Sequence, residues 1–277
     1  MQKNDYFLNT ALVQQATSDD LNIIAHKNNN KDIYTRDGTQ KVNGAEKHVT
    51  NSEYKTKKLV MQFWNGGGSM IARLRVNPQL AEVLRTKPDI FVYAECQIYS
   101  NKAPQHPQYS VILHKAKRNS VRRGIGIFFK KEHLHNFSKD HASDKYDIVW
   151  LRYEDKYKSA DARRVIIFCF FYSPGDAHPD DVRSGFYDLL LSGLGRYPKG
   201  TKVYMMGDSN ARLGAYSQDV AINGKYICNK NKSLFLGFLR FSGLKYLNNL
   251  YARGIPTYEI VGVKKSIIDV CLTNDIS

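Results

Sequence analysis

The sequence predicts an α/β sandwich whose sheets are mixed or largely antiparallel. Several apolar runs of strand length occur in adjacent pairs, while helical patterns arrive singly between them. A doubly wound parallel sheet would instead alternate strands and helices along the chain. The chain has 277 residues, of which 42% are hydrophobic, so it is long enough to bury a large core.

The first 57 residues are predicted to be a flexible polar segment, and residues 58–277 to form the globular domain. Asn, Lys, Asp and Thr dominate residues 1–57, which therefore offer little apolar surface to bury. A short helix around residues 8–25 is the one regular element expected there.

Within the globular part, apolar runs flanked by polar residues predict the strands. They are KLVMQFW (58–64), PDIFVYAEC (88–96), YSVILHKA (109–116), RGIGIFFKK (123–131), YDIVWLRYE (146–154), RRVIIFCFFYSP (163–174), TKVYMMGDSN (201–210), LKYLNNL (244–250) and KKSIIDVCLTN (264–274). Apolar residues at helical spacing predict three helices, at residues 77–87, 180–197 and 231–243.

The formal net charge of +15 favours a polyanionic partner, although a solvated basic surface is the simpler alternative. The four cysteines lie far apart and form no C-x-x-C pair, so neither a disulfide framework nor a zinc site is expected. A reducing intracellular setting follows from this, with the nucleus among the compartments open to the protein. No apolar run approaches the roughly 18 residues of a membrane helix, so no membrane partner is expected.

Polar residues stand at or near the ends of five predicted strands. Any one of them is explained by an ordinary cap or turn, because Asp and Asn favour turns. Strand ends that face one rim of a sandwich would instead gather into a single oxygen-rich pocket. Such oxygen donors, without a His or Cys cluster, indicate Mg²⁺ or Mn²⁺ rather than zinc. The residues are Asn65, Glu95, Tyr172, Asp208 with Asn210, and Asp269.

Read in order, these strand ends resemble the endonuclease/exonuclease/phosphatase superfamily. The resemblance rests on QFWNGGG, PDIFVYAEC, FCFFYSPG, MMGDSNARLG and SIIDVCL, which follow the family's order from about residue 58 to 275. MMGDSNARLG is the most specific of these matches. The NAR-x-G form and the stretch RRGIGIFFKK favour the branch of non-LTR retrotransposon endonucleases.

The resemblance implies a four-layer α/β sandwich, with two mixed, largely antiparallel sheets flanked by helices. It also implies hydrolysis of a phosphodiester in DNA with a divalent metal. Glu95 would bind the metal, with Asn65 nearby. Asp208 would orient or deprotonate the attacking water, Asn210 would hold that water or the phosphate, and Tyr172 would donate a hydrogen bond to the phosphate.

The family pattern continues with a last strand and an S-D-H motif, which this sequence does not contain. By resemblance, Asp269 would hold the histidine of that motif. None of the eight histidines matches its position. We therefore expect a sandwich without its last strand and weak or absent activity, in either a fragment of a longer retroelement polyprotein or a decayed copy.

Basic residues cluster between two predicted strands and suggest a strip that contacts phosphates. Exposed lysines that protect a sheet edge are the alternative. Arg212 would reach a phosphate or pair with an acid, and the sequence leaves both open. The strip contains Lys115, Lys117, Arg118, Arg122, Arg123, Lys130 and Lys131.

Three functions fit these observations. The first is a Mg²⁺-dependent DNA endonuclease of a retroelement. The second is a phosphodiesterase or phosphatase of the same superfamily that acts on a lipid or nucleotide. The third is a non-catalytic nucleic-acid-binding remnant. The sequence leaves the oligomeric state open.

Overall fold

Two six-stranded sheets and one small three-stranded sheet form the framework of the protein. The structure, a computed structural model, describes residues 12–16, 21–25, 59–65, 85–96, 98, 103–117, 124–154, 165–221, 224–251, 253, 255, 257–260 and 264–275. None of the helices in these ranges is long and apolar enough to cross a membrane.

The first sheet takes its strands from the N-terminal half of the chain. Its members are β1 (Leu12–Ala16), β2 (Leu21–Ala25), β3 (Leu59–Asn65), β4 (Ile90–Ala94), β5 (Tyr109–His114) and β6 (Ile125–Lys130), in the spatial order β2-β1-β3-β4-β6-β5. Only β3 and β4 run parallel in this sheet, and its other described neighbours are antiparallel.

The second sheet takes its strands from the C-terminal half. Its members are β7 (Phe137–Ala142), β8 (Asp147–Glu154), β9 (Val165–Tyr172), β10 (Lys202–Asp208), β12 (Lys245–Tyr246) and β15 (Asp269–Thr273), in the spatial order β12-β15-β10-β9-β8-β7. The third sheet joins β11 (Val220–Ala221), β14 (Lys264–Ser266) and β13 (Tyr258–Ile260) in that order. Among the described strands of the second sheet only β9 and β10 are parallel, so the predicted mixed and largely antiparallel pairing is confirmed.

The main core lies between the two large sheets. Alternate residues of facing strands point into it, including Phe63 and Val92 from the first sheet and Phe168, Phe170 and Met206 from the second. The period of two along each strand places these residues on one face of their sheet. The two sheets therefore share one buried interface, which fixes the strand ends of one sheet relative to those of the other.

Helices cover the outer face of the second sheet. α1 (Asp180–Leu194) and α2 (Asn231–Ser242) pack a second core against it, and the short α3 (Leu247–Tyr251) follows β12. Two 3-10 helices, Lys131–Asn136 and Gly214–Tyr216, complete the described helical elements. The predicted α/β sandwich is thus confirmed. The helix expected at residues 77–87 lies almost entirely outside the described residues.

Four local predictions differ from the structure. The helix expected around residues 8–25 is wrong, because β1 and β2 form a hairpin there and β1 pairs with β3, ahead of the predicted start of the domain at residue 58. The strand expected at 244–250 is only β12 before α3 begins. The strand at 264–274 is divided into β14 and β15. β7 was not predicted, because its side chains are half-buried or exposed at the sheet edge.

Candidate active site

The polar strand ends meet at one rim of the sandwich. In the second sheet, Asp208 pairs in register with Tyr172 on one side and with Asp269 on the other. In the first sheet, Asn65 is in register with Ala94, the residue before Glu95. The parallel pairs β3–β4 and β9–β10 direct their carboxyl ends the same way, which brings the polar residues together.

Two hydrogen bonds connect the rims of the two sheets. The Asn65 amide donates to Asp208 Oδ2 over 2.7 Å. The Tyr172 hydroxyl donates to Glu95 Oε1. The first bond runs from β3 to β10 and the second from β9 to the end of β4. The structure therefore places these four side chains in one cluster.

Two residues of the cluster have left-handed backbone conformations. Glu95 has φ 51° and Asn210 has φ 47°. Asparagine adopts this region more readily than other residues with a side chain, whereas holding a glutamate there costs on the order of 1 kcal/mol or more. At Asn210 the turn is fixed by its own N–H, which donates to Asp208 Oδ1 over 2.6 Å. Such strain concentrates at functional sites.

The Asn210 side chain is held by the framework. Its Nδ2 donates to the Ser173 carbonyl over 2.7 Å, and its own carbonyl accepts a bond of 2.6 Å from Asn229 Nδ2. Asn231 Nδ2 donates to the Pro174 carbonyl over 2.8 Å and therefore fixes the neighbouring turn. Sequence reasoning missed Asn229 and Asn231, because their partners come from distant segments.

Asp269 is buried beside Asp208, and its Oδ1 has no hydrogen-bond partner among the described residues. Its backbone is well supported: Thr257 Oγ1 accepts its N–H over 3.1 Å, and Asn248 Nδ2 donates to its carbonyl over 3.0 Å. A buried carboxylate oxygen without a donor is costly. Asp269 is therefore poised to accept a donor or to lie near a cation.

The acids perturb one another. Burial and the nearby charge of Glu95 raise the pKa of Asp208 to about 7, although the Asn210 N–H, the Asn65 amide and Arg212 act in the opposite direction. Burial, followed by the charge of Asp208, raises the pKa of Asp269 well above its usual range.

Burial also raises the pKa of Tyr172, and the charges of Asp208 and Glu95 add to this. The tyrosine therefore remains a hydrogen-bond donor. The residue types suit a hard divalent cation, because carboxylates and an amide line one rim and a cation would relieve the repulsion between the acids.

Arg212 contributes to the electrostatics of the site. Its charge lowers the pKa of Asp208, while its Nε donates to Ser266 Oγ over 3.3 Å. It is half-buried at the start of a loop.

The predicted basic strip is only partly described. Lys115 is exposed, and Lys117 is exposed and paired with Asp144 over 2.7 Å. Lys130 lies at the far end of β6, where it pairs with Asp89, so it does not continue the strip. Arg118, Arg122 and Arg123 lie outside the described residues, and their phosphate contacts stay a prediction.

A second acidic group lies at the opposite end of β4. Asp89, Glu132 and His133 place potential ligand atoms within 4.8 Å of one another. The Asp89 carboxylate is already engaged, because it accepts bonds from the Val60 N–H, the Lys130 ammonium and His133 Nε2 at 2.8, 2.8 and 3.0 Å. The arrangement is that of a structural network joining β3, β4 and β6.

No protein-family model and no curated protein sequence matches the chain. Solved structures do match. The endonuclease domain of TRAS1, a telomere-specific non-LTR retrotransposon, is 15% identical, with 76% of this chain and 83% of that chain covered and a TM-score of 0.51. An AP endonuclease from Archaeoglobus fulgidus is 16% identical, with 78% and 86% covered and a TM-score of 0.51.

A mannosyl-6-phosphatase, Bt3783, from Bacteroides thetaiotaomicron VPI-5482 is 14% identical, with 78% and 85% covered and a TM-score of 0.49. The first two likenesses show that the chain has the fold of the endonuclease/exonuclease/phosphatase superfamily. The predicted fold class and the resemblance in fold are confirmed.

Proposed function

We propose that this protein is a divalent-metal-dependent phosphodiesterase that cleaves DNA, of the retrotransposon endonuclease type. The observation that carries the proposal is the cluster made by the two inter-sheet bonds, Asn65 to Asp208 and Tyr172 to Glu95. This cluster places two carboxylates, one side-chain amide and one tyrosine hydroxyl at one rim of the sandwich. The fold is shared with two endonucleases.

In this proposal Glu95 holds Mg²⁺ or Mn²⁺, with the Asn65 amide beside it. The bound cation would supply charge neutralisation for a phosphate oxygen and for the leaving oxygen. When a cation occupies Glu95, the Tyr172 hydroxyl would turn its single proton from Glu95 Oε1 to a phosphate oxygen, where charge develops as water attacks phosphorus.

Asp208 orients the attacking water and accepts its proton. The new P–O bond forms from that water as the bond from phosphorus to the leaving oxygen breaks. Asn65 and the Asn210 N–H hold the two carboxylate oxygens of Asp208, so its position is fixed before the substrate arrives.

The net charge of +15 favours DNA over a small soluble phosphate ester, because a polyanion gains from many basic contacts. The same proposal makes residues 58–277 the catalytic unit, to whose first sheet the hairpin β1–β2 adds. It also includes an intracellular location, with the nucleus among the possible compartments. The described cysteines are free thiols, which agrees with a reducing compartment.

A non-catalytic nucleic-acid-binding remnant is the second candidate. The buried Asp269 Oδ1 without a described partner favours it, because by resemblance this carboxylate would hold a catalytic histidine. The experiment must therefore separate metal-dependent cleavage of DNA from binding of DNA without cleavage.

Nicking of supercoiled plasmid, with Mg²⁺ and with EDTA, is the test. The wild type should accumulate nicked circles only with Mg²⁺. Glu95→Gln and Asp208→Asn should lower the rate at least about 100-fold. Asp188→Asn, which changes an exposed acid on α1, is the matched control and should retain the wild-type rate. DNA binding without any Mg²⁺-dependent nicking would favour the remnant instead.

A further inference from the structure

Two exposed tyrosines lie on the loop that follows the candidate site. Tyr216 is 44% exposed and Tyr226 is 58% exposed. Both belong to two described stretches, residues 212–221 and 224–229, which together we call the tyrosine loop. Isolated exposed rings are common on protein surfaces, so the position and surroundings of this pair decide its meaning.

Both ends of the tyrosine loop are fastened to the site. Asn229 Nδ2 donates to the Asn210 carbonyl over 2.6 Å, and Asn229 Oδ1 accepts the Arg212 N–H over 2.9 Å. Leu213 and Cys228 form an antiparallel bridge at the next step. The base of the loop is therefore bonded to Asn210, two residues after Asp208, which connects the loop to the candidate site.

A buried aspartate holds the loop in shape. Asp219 is fully buried, and its Oδ2 accepts bonds from the Leu213 N–H and the Ser217 hydroxyl at 2.6 and 2.5 Å. Its Oδ1 accepts the Ile267 N–H over 2.7 Å, which ties the loop to the segment leading into β15. The loop surface is thus preorganised, which lowers the entropic cost of binding.

The first tyrosine already takes part in ring stacking. Tyr216 lies parallel to the buried Tyr246, with 6.2 Å between ring centroids and 6° between planes. Tyr246 in turn packs edge-on against Phe235 of α2. The core therefore supports the Tyr216 ring, while nearly half of the residue remains exposed to solvent.

The second tyrosine emerges beside the same turn. A Cβ atom added to Gly214 would come within 3.7 Å of Tyr226 Cβ and 2.6 Å of Cys228 Sγ, and Gly214 has φ 66°. Only glycine fits this position. The close approach brings the segment of Tyr226 against the turn that carries Tyr216, two residues after Gly214.

The charge of the loop is positive where it faces solvent. Lys225 is exposed within it, and Lys230 is exposed directly after it. Arg212 stands at its start, and Asp219, its single acid, is buried. Lysines beside exposed rings suit a nucleic-acid strand, because the cations attract phosphates while the rings stack on bases.

We propose that the tyrosine loop is a stacking platform for an unpaired base of the DNA strand next to the scissile phosphate. The proposal rests on the proposed function and specifies its substrate: DNA that is locally single-stranded or distorted at the site of cleavage. In an intact duplex each base is already stacked between its neighbours. Only an unpaired base presents a free face to Tyr216 or Tyr226.

The test compares two labelled DNA probes in EDTA, so that binding is measured without hydrolysis. One is a fully paired duplex, and the other has the same sequence on one strand with a central bubble of unpaired bases. Fluorescence anisotropy gives the dissociation constants. The wild type should prefer the bubble. Tyr216→Ala and Tyr226→Ala should each weaken bubble binding roughly 5- to 100-fold and change duplex binding less than about twofold.

Two further variants separate stacking from folding. Tyr216→Phe keeps the ring and should keep the preference for the bubble. Tyr251→Ala removes a ring that is 50% exposed on α3, outside the loop, and should change neither constant. The platform would be overturned if Tyr216→Ala and Tyr226→Ala lost the same affinity for both probes, or lost no affinity for the bubble.

The plasmid assay keeps the two proposals apart. If the wild type nicks plasmid while Tyr216→Ala and Tyr226→Ala bind the bubble normally, the platform is wrong and the proposed function stands. If the wild type does not nick plasmid but its preference for the bubble depends on both rings, the platform stands without turnover.

Discussion

Replacing Asp89 with asparagine distinguishes the roles of the two acidic groups at opposite ends of β4. Asp89 supports the fold, because its carboxylate accepts the Val60 N–H, the Lys130 ammonium and His133 Nε2. Its backbone also joins β3 to β6 through bonds of 2.8 Å to Val60 and 3.0 Å from Lys130. Asparagine has the same shape, so the change removes the charge and disturbs packing little.

The magnitude follows from the pKa of Asp89. Burial alone would raise this pKa, but the hydrogen bonds from His133, Lys130 and Val60 outweigh it and lower the pKa from 3.8 to about 2. A pKa lowered in the folded state stabilises the protein above the unfolded value of 3.8. That stability is lost as the pH falls through about 2. The shift corresponds to roughly 2 kcal/mol at pH 7 and roughly 1 kcal/mol at pH 3.

Urea unfolding followed by circular dichroism at pH 7, 4 and 3 measures this contribution. Asp89→Asn should lose about 2–3 kcal/mol of unfolding free energy at pH 7, and the gap to the wild type should narrow at pH 3. A difference in unfolding free energy between Asp89→Asn and the wild type that stays the same at all three pH values would refute the reasoning. The nicking rate per folded molecule should be unchanged. If Asp89→Asn abolishes Mg²⁺-dependent nicking while Glu95→Gln does not, the metal belongs to the other cluster.

Three further predictions concern the candidate site. Tyr172→Phe should lower the plasmid nicking rate about 10²- to 10³-fold without changing the melting temperature by more than a few degrees, because one phosphate donor is lost; an unchanged rate would remove Tyr172 from the mechanism. Imidazole in the buffer should raise the nicking rate of the wild type, because Asp269 Oδ1, which has no partner among the described residues, offers an acceptor to an imidazole N–H, and Asp269→Asn should abolish this rescue. Gly207→Ala should destabilise the domain by more than about 3 kcal/mol in urea unfolding, because its Cβ would lie 2.2 Å from the Phe171 carbonyl oxygen; a wild-type midpoint would contradict the close packing of β9 and β10.

The fold was predictable wherever a strand is buried on both faces. β4, β9 and β10 read as continuous apolar runs, and the structure has each of them near its predicted bounds. Edge elements were not predictable in this way. The side chains of β7 are all half-buried or exposed, so its sequence shows no apolar run or alternation.

Tertiary contacts decided the segment 244–250. Its apolar residues suggested a strand, but only two residues pair with β15 before the chain turns into α3. The side chain of Asn248 explains the turn, because its Oδ1 accepts the Cys271 N–H over 2.8 Å while its Nδ2 donates to the Asp269 carbonyl over 3.0 Å. The sequence pattern of residues 244–250 does not show these partners, because they belong to another strand.

The candidate site was predictable in its residue types and less so in their connections. Polar residues after apolar strands pointed to Asn65, Glu95 and Asp208, because a polar side chain at a buried strand end needs a partner. The left-handed backbone of Glu95 had no signal in the sequence. Nor did the bond from the Tyr172 hydroxyl to Glu95, because it joins residues from different sheets.

The central claim is that Glu95 and its neighbours hold a divalent cation at the rim. Titration of the protein with Mn²⁺, with free Mn²⁺ measured by electron paramagnetic resonance, tests it without relying on turnover. The wild type should bind one ion more tightly than Glu95→Gln does by at least about tenfold, while Asp188→Asn and Asp89→Asn should match the wild type. Equal Mn²⁺ binding by the wild type and Glu95→Gln would contradict the account.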